Sequence, residues 1–433
     1  MKISIIGTGY VGLITGVGLA DHGHQVTCVD IDEKKVEMIN DAQPPIYEED
    51  LERYLERNVS ASRLSATTDT EKAVKETDIT FISVGTPSKK DGSIDTSAVR
   101  SAAEDISRAL DKKNGYHVVC VKSTVTPGTT DDKVLSVLEK DSREVGEDFG
   151  LGMNPEFLRE GAALDDFLDP DRIVIGGWDE RSKETIKKVY ADFEAPKLLT
   201  DIRTAEMIKY ASNSLLATKI SFANEISRLC EGLGIDVYDV MDGVGLDHRI
   251  KRDFLNAGCG FGGSCFPKDV KAIKKLAEEK GVNTKILEAV LSVNEEQPLH
   301  TVDLLKEELG EVEGKRIAIL GLTFKGGTDD VRETRALPMV KRLLEDGAEV
   351  IGYDPKGNRN FSELIDGVEY FNSSEEALKG ADACIIQNDW DELKNLKSED
   401  FKDMDKRIII DGRRVLDPKD LDEDITYRGI GMS

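Results

Sequence analysis

The chain has 433 residues, of which 39% are hydrophobic and 33% charged, and it carries a formal net charge of -26. That length predicts two or three domains, each able to bury its own core, and no apolar run approaches the ~20 residues that cross a bilayer. An acidic excess of this size excludes a nucleic-acid partner and disfavours acidic membrane surfaces, because both demand a basic face; it fits a protein adapted to concentrated salt as well as an ordinary acidic one.

In chain order, "KISII" reads as a strand, Gly7-Thr8-Gly9-Tyr10-Val11-Gly12 as a glycine turn, the apolar stretch behind it as a helix, and "QVTCVD" as a second strand ending at Asp30. This is the full context of a dinucleotide fingerprint. Gly7 permits the tight turn, Gly9 lets a pyrophosphate approach the backbone, Gly12 allows close helix packing, and the helix N-terminus attracts the phosphates. Asp30 is placed to accept hydrogen bonds from the adenine ribose and to repel a 2′-phosphate, so NAD is expected rather than NADP. The apolar start is too short for a signal peptide, and a cytoplasmic location is the default expectation. Further strands at "DITFISVG", "HVVCVKST", "LGMNPE" and "RIVIGG" predict a parallel, doubly wound sheet over about residues 1–196. "VGTP" (84–87) and "KSTVTPGT" (122–129) fall at carboxyl ends of strands, where open sheets bind ligands, although each also reads as an ordinary proline loop. "NPEFLREG" adds Glu156 and Glu160, which by themselves read as solvated surface glutamates.

Residues 203–231 hold neither proline nor glycine and are apolar on most faces, which predicts a helix about 40 Å long at 1.5 Å per residue. Such a helix must be covered, and a second subunit is one candidate, so a homodimer is expected. On it, Lys209 and Asn213 stand four apart and share a face amid apolar neighbours; they are either satisfied structurally or point at a polar ligand. More helix follows, which makes residues 197–310 a helical, dimerisation domain. It contains "GFGGSCFPKD" (260–269), a thiol directly behind a glycine loop. Beside an NAD site a cysteine thiolate can attack an aldehyde, and hydride loss then leaves a thioester for water to hydrolyse. In that reading Lys268 lowers the thiol pKa, Asp269 orients water, and glycine N–H groups approach the oxyanion; the alternative is a packed core thiol. The six cysteines are too scattered for a disulfide scaffold, and the five histidines lack ligand spacing, so no metal is expected. From "GKRIAILGL" onward a second alternating region runs through "AEVIGYDP", "ADACIIQND" and "RIIIDGRRV", predicting another doubly wound domain over residues 311–433. It lacks the glycine fingerprint, since Leu-Thr-Phe-Lys follows Gly321.

Taken in order, "GTGYVG", "VGTP", "KSTV", "NPEFLREG", "AEMIKYASNS", "GFGGSCFPKD", "GLTFKGGTDDVRET" and "DGRRVLD" resemble the UDP-glucose 6-dehydrogenase family of NAD-dependent nucleotide-sugar dehydrogenases, over nearly the whole chain. The resemblance implies an α/β fold of two Rossmann-like doubly wound domains joined by a long central helix and helical domain. It also implies oxidation of the C6 alcohol of UDP-glucose to UDP-glucuronate with two NAD consumed. By matching position, Cys265 resembles the nucleophile and Lys209 the oxyanion stabiliser. Asn213 and Thr124 resemble the residues that hold the reacting oxygen or water, and Asp269 and Glu156 the acid-base groups. Tyr10, Val11, Lys35, Thr86, Thr124, Glu160, Lys268 and Arg332 join the three fingerprint glycines and Asp30 as implied cofactor positions. Glu156, Phe157, Leu158, Lys209, Asn213, Phe261, Gly262, Gly263, Ser264, Phe324 and Lys325 are implied substrate positions, with Arg413 or Arg414, and with Arg249 reaching the sugar of a neighbouring subunit. The basic residues of this set would have to make a locally positive site in an acidic protein. Thr126 precedes Pro127 where the family often has proline directly after "STV". GDP-mannose and UDP-N-acetylhexosamines are the rival substrates, and "GFGGSCFPKD" leans away from the latter. A two-electron alcohol or hydroxyacid dehydrogenase using Lys209 and Asn213, and a non-catalytic NAD-binding protein, are the readings from other classes.

Overall fold

A computed structural model describes residues 1–140 and 143–432. The chain divides into two compact units, Met1–Ser212 and Asn213–Ser433. In the first, short β-branched runs form strands β1 (Lys2–Ile6), β2 (Gln25–Val29), β3 (Leu64–Thr67), β4 (Ile79–Ile82), β5 (His117–Val121), β6 (Phe149–Met153), β7 (Ile173–Gly177) and β8 (Lys197–Thr200). They make one sheet in the order β3-β2-β1-β4-β5-β6-β7-β8. Winding outward in both directions from β1 and β4 opens a crevice beyond their carboxyl ends, where the chain order switches. β4, β5 and β7 are buried along their whole length, as strands covered by helices on both faces must be. Ile3, Ile5, Leu13, Ile14, Val17 and Phe81 form the centre of this core.

The sheet departs from the all-parallel expectation at one pair: β6 and β7 run antiparallel, with Gly152 opposite Gly177 and Met153 opposite Gly176. The connection between them, which includes the short helix Ala163–Leu168, starts and ends at the carboxyl end of β6. With no crossover along a face of the sheet, β7 must run back down. A side chain at Gly152 would lie 2.8 Å from the Gly176 carbonyl, so the close pairing requires glycine there.

The helix Ile202–Leu233 spans the boundary at Ser212. Beyond it, the second unit has helices Val237–Gly245, Phe266–Glu279 and Lys285–Leu309. Six parallel strands follow: β9 (Arg316–Leu320), β10 (Glu349–Tyr353), β11 (Val368–Tyr370), β12 (Ala383–Ile386), β13 (Ile408–Asp411) and β14 (Thr426–Gly429). Their order is β11-β10-β9-β12-β13-β14, again wound outward from a central pair. After β9, Gly321 turns at φ +91. The next two backbone N–H groups, of Leu322 and Thr323, donate to Asp354 Oδ2 at 2.7 and 3.0 Å. A protein carboxylate thus holds the turn that phosphates occupy in a dinucleotide fingerprint. Among the described residues no helix is long and apolar enough to cross a membrane.

Candidate active site

In the first unit the glycine turn has the geometry of a phosphate cradle. Gly7 adopts φ +95, and a Cβ on Gly12 would lie 1.8 Å from the Gly7 carbonyl, whereas a Cβ on Gly9 would meet nothing within 4 Å. The turn is therefore tight on its inner side and open where a pyrophosphate has to approach. The helix Tyr10–Asp21 starts with no side-chain cap and no acidic residue in its first turn, so its positive end is not neutralised. Asp30, just beyond β2, accepts from Thr8 N at 2.8 Å, Thr8 Oγ1 at 2.5 Å and Asp32 N at 3.1 Å. Partial burial opposes its ionisation, but these hydrogen bonds and the attraction of Lys35 outweigh it and hold the carboxyl below its usual range. An ionised Asp30 suits an unphosphorylated ribose. These residues fit a bound NAD. Thr86 Oγ1 donates to the Thr124 carbonyl at 2.9 Å and so ties the "VGTP" and "KSTV" loops together.

After β6, Glu156 is buried rather than solvated. Its side chain is 6% exposed and its Oε1 lies 2.9 Å from Lys209 Nζ, which is 3% exposed. Glu156 Oε2 accepts from Leu158 N at 2.7 Å. Burial raises the Glu156 pKa, but the Lys209 charge and these hydrogen bonds reverse that, and the net shift is downward. Lys209 Nζ also sits 5.4 Å from the Phe157 ring centroid, with the Arg172 guanidinium 3.9 Å from the same ring. A second buried lysine, Lys122, donates to Asn154 Oδ1 at 2.8 Å, and Tyr190 OH donates to the same atom at 2.6 Å. Burial lowers the Lys122 pKa to about 8. Glu206, fully buried one turn before Lys209, accepts from Gly128 N at 2.7 Å and Thr130 N at 2.9 Å and so anchors the loop behind Thr124. Burial outweighs those two hydrogen bonds and pushes its pKa up to about 7.

In the second unit Cys265 is exposed, while Cys28, Cys120, Cys230, Cys259 and Cys384 are buried. It stands at the N-cap of the helix Phe266–Glu279 with Pro267 in the first turn, where the helix dipole favours a thiolate. Burial pushes the Cys28 and Cys259 thiols up to about 12, which makes both inert. In the same first turn Asp269, 1% exposed, accepts from Asn213 Nδ2 at 2.6 Å and from Lys268 Nζ at 2.5 Å. Lys268 is thus engaged by Asp269. The glycine loop is pinned from two sides. Asn294 Oδ1 accepts from Phe261 N at 2.6 Å, and Gly263 N donates to the Arg332 carbonyl at 3.0 Å. A Cβ on Gly262 would lie 2.4 Å from the Glu333 carbonyl, and one on Gly263, at φ +78, would lie 2.7 Å from the Phe324 ring. Lys325 Nζ is 5.8 Å from that ring's centroid.

The arginines separate by role. Arg414 is tied to Asp236 at 2.7 Å and has a φ of 54°, whereas Arg413 lies 3.7 Å from Asp389. Arg332 pairs with Asp330 at 2.6 Å, and exposed Arg249 pairs with Asp247 at 2.6 Å. Val11 lies in the first turn of the fingerprint helix, and Lys35 in the helix Glu33–Asn40 after Asp30. Glu160 is partly exposed on the loop after Glu156. Sequence reasoning missed Glu206 and Asn294, and it left Lys122 and Asn154 without a role of their own inside the "KSTVTPGT" and "NPEFLREG" motifs. Asn294 carried little signal, because it stands next to Glu295, Glu296 and Gln297 in a helix with many polar residues. Glu206 carried none, because a glutamate in a charged chain reads as solvated.

Comparison with known proteins gives this constellation its context. Residues 1–194, 203–296 and 318–418 match the NAD binding, central and UDP binding domains of the UDP-glucose/GDP-mannose dehydrogenase family. The chain is similar to the UDP-glucose 6-dehydrogenase AglM of Haloferax volcanii, at 45% identity over 96% of this chain and 97% of that one. It is 44% identical to the UDP-glucose 6-dehydrogenase TuaD of Bacillus subtilis, over 96% of this chain and 89% of the relative. A solved UDP-glucose dehydrogenase from Pyrobaculum islandicum superposes with a TM-score of 0.93 at 43% identity, covering 100% of this chain and 98% of that one. Two doubly wound sheets, an NAD cradle on the first and an exposed helix-capping cysteine are thus found in a chain that matches one family's three domains in order, and the chain belongs to the UDP-glucose/GDP-mannose dehydrogenase family.

Proposed function

We propose that the protein oxidises UDP-glucose at C6 to UDP-glucuronate in two successive NAD-dependent steps. The observation that carries this reading is Cys265, exposed at a helix N-terminus while the other five cysteines are buried. NAD, when bound, supplies a hydride acceptor once for each oxidation. In the first step the C6 alcohol loses a hydride and a proton, leaving an aldehyde. The Cys265 thiolate then forms a C–S bond to C6, and the carbonyl electrons move onto oxygen, where the Lys209 ammonium stabilises the developing charge. Loss of the second hydride leaves a thioester on Cys265. Water adds to its carbonyl, the C–S bond breaks, and the thiolate leaves with its electron pair. Asp269, bonded to Asn213 and Lys268, and Glu156, bonded to Lys209, are the carboxylates assigned to move protons and hold water; Thr124 is assigned to hold the reacting oxygen.

The remaining assignments follow the same reading. Phe157, Leu158, Phe261, Gly262, Gly263, Phe324, Lys325 and Arg413 contact the sugar nucleotide, and Arg249 serves a neighbouring subunit. Leu215, Phe222 and Leu229 are exposed and seven residues apart on the long helix, an apolar stripe that supports a homodimer. A cytoplasmic location suits an enzyme that draws on NAD and a nucleotide sugar. The test is the yield of NADH per UDP-glucose consumed, at limiting sugar and excess NAD, with GDP-mannose alongside. Two NADH per UDP-glucose is expected. One NADH would reject the cysteine-dependent second step, and turnover with GDP-mannose alone would reject the substrate.

A further inference from the structure

Glu48 lies between the helices Glu33–Asn40 and Leu51–Ser60, and it is only 7% exposed although it belongs to none of the site's chemistry. Its carboxylate gathers donors from two distant stretches of chain. Oε2 accepts from the Tyr10 hydroxyl and, at 2.9 Å, from Gly161 N; Oε1 accepts from Ala163 N at 2.5 Å and Leu164 N at 3.4 Å. Gly161 N also lies 2.8 Å from the Tyr10 hydroxyl oxygen. Tyr10 is the first residue of the fingerprint helix, directly behind Gly9, where a dinucleotide's phosphates must sit. Residues 161–164 close the loop that carries Glu156, the partner of Lys209. The same two segments also pack together further along: a Cβ on Gly18 would lie 2.2 Å from the Phe167 ring, so there is no slack between the two helices. Burial and the adjacent Glu48 carboxylate raise the Tyr10 pKa far above its usual value, so its hydroxyl remains a donor at any working pH.

We infer that Glu48 is a positioning residue that latches the Glu156 loop to the dinucleotide turn through Tyr10, so that NAD binding and the placement of Glu156 are energetically linked. Such linkage is reciprocal: whatever NAD does to the loop, a ligand ordering the loop does to NAD affinity. The inference rests on the NAD-dependent reading above for its ligand, but it does not depend on which sugar is oxidised.

The test is hydrogen exchange of the backbone amides of residues 161–164 in the full chain, with and without saturating NAD and with no sugar present. In the wild type NAD should slow exchange there by about tenfold or more. Glu48→Gln replaces one acceptor with an NH2 group that must face a backbone N–H, and Tyr10→Phe removes only the hydroxyl. Each variant is measured at an NAD concentration that fully protects the amides of Thr8 to Gly12, and exchange at 161–164 should then stay within about twofold of its NAD-free rate. Equal NAD-dependent slowing in the variants, or none in the wild type, overturns the latch. A purely structural role would lower the melting temperature and leave the NAD-dependent difference intact. Should Glu48→Gln fail to fold, Tyr10→Phe decides the question. Failure of the substrate reading would appear separately, as no NADH formed from any sugar nucleotide.

Discussion

Cys265 and the five buried cysteines show how placement sets the chemistry of one residue type. Burial raises the thiol pKa and denies access, whereas exposure at a helix N-terminus leaves a thiol that can ionise and be reached. Serine at position 265 keeps the size but loses the nucleophile. Cys265→Ser is therefore expected to cut turnover to UDP-glucuronate by about 10³-fold or more. Steady-state NADH formation checks this, and a rate within about tenfold of wild type would show that Cys265 only packs. Glu206 makes the pH argument. Its pKa rises from 4.5 unfolded to about 7 folded, so the native state binds that proton more tightly. The stabilisation is complete below the unfolded pKa and is lost as pH rises through the folded one. The shift corresponds to about 3 kcal/mol at most. Glu206→Gln imitates the protonated form, so its stability relative to wild type should grow by about 1–3 kcal/mol between about pH 5 and pH 8. Denaturant midpoints across that range measure the difference, and a constant difference would disprove the shift. His117, whose pKa burial lowers to about 3, changes stability in the opposite direction below pH 6.5, but it is present in both proteins and cancels.

The long helix is the element most legible in the sequence: a run without proline or glycine over 203–231 is observed as Ile202–Leu233. Its interior-facing polar residues were equally visible because polarity stands out on an apolar surface. Strands β3 and β8, with the sequences "LSAT" and "KLLT", were not legible, since four residues carry too little alternation to distinguish them from a loop. Nor was the antiparallel turn between β6 and β7, because strand direction depends on where a connection runs. Leu215, Phe222 and Leu229 are 63%, 50% and 57% exposed, in a chain whose other large apolar groups mostly lie in its cores. Phe222→Glu should convert the expected dimer to monomer while changing the melting temperature of the fold by no more than about 2 °C. Light scattering after size exclusion reads the mass, and a variant of unchanged mass would place the dimer contact elsewhere.

Across the whole molecule, 84 acidic residues face 58 basic ones. The basic groups named at the site are mostly held by carboxylates: Lys209 by Glu156, Lys268 by Asp269, Arg332 by Asp330 and Arg414 by Asp236. The unbalanced acidic groups remain, and their repulsion acts over a Debye length of about 10 Å at 0.1 M salt and about 3 Å at 1 M. Raising KCl from about 0.1 M to 2 M should therefore raise the melting temperature by roughly 5 °C or more. A flat or falling melting curve would show that the acidic excess is already neutral to stability.

The sequence by itself determined the elements that local patterning encodes. These are the βαβ unit with its glycine turn and Asp30, the long apolar helix, the second alternating region without a fingerprint, and the family to which these motifs belong. Tertiary structure alone decided which charged residues are removed from water. Glu156, Glu206 and Glu48 are written in the same letters as the many solvated glutamates of this chain. What sets them apart is the arrival of a lysine ammonium or of backbone N–H groups from segments far away in sequence, and only the folded chain brings those partners within hydrogen-bond reach.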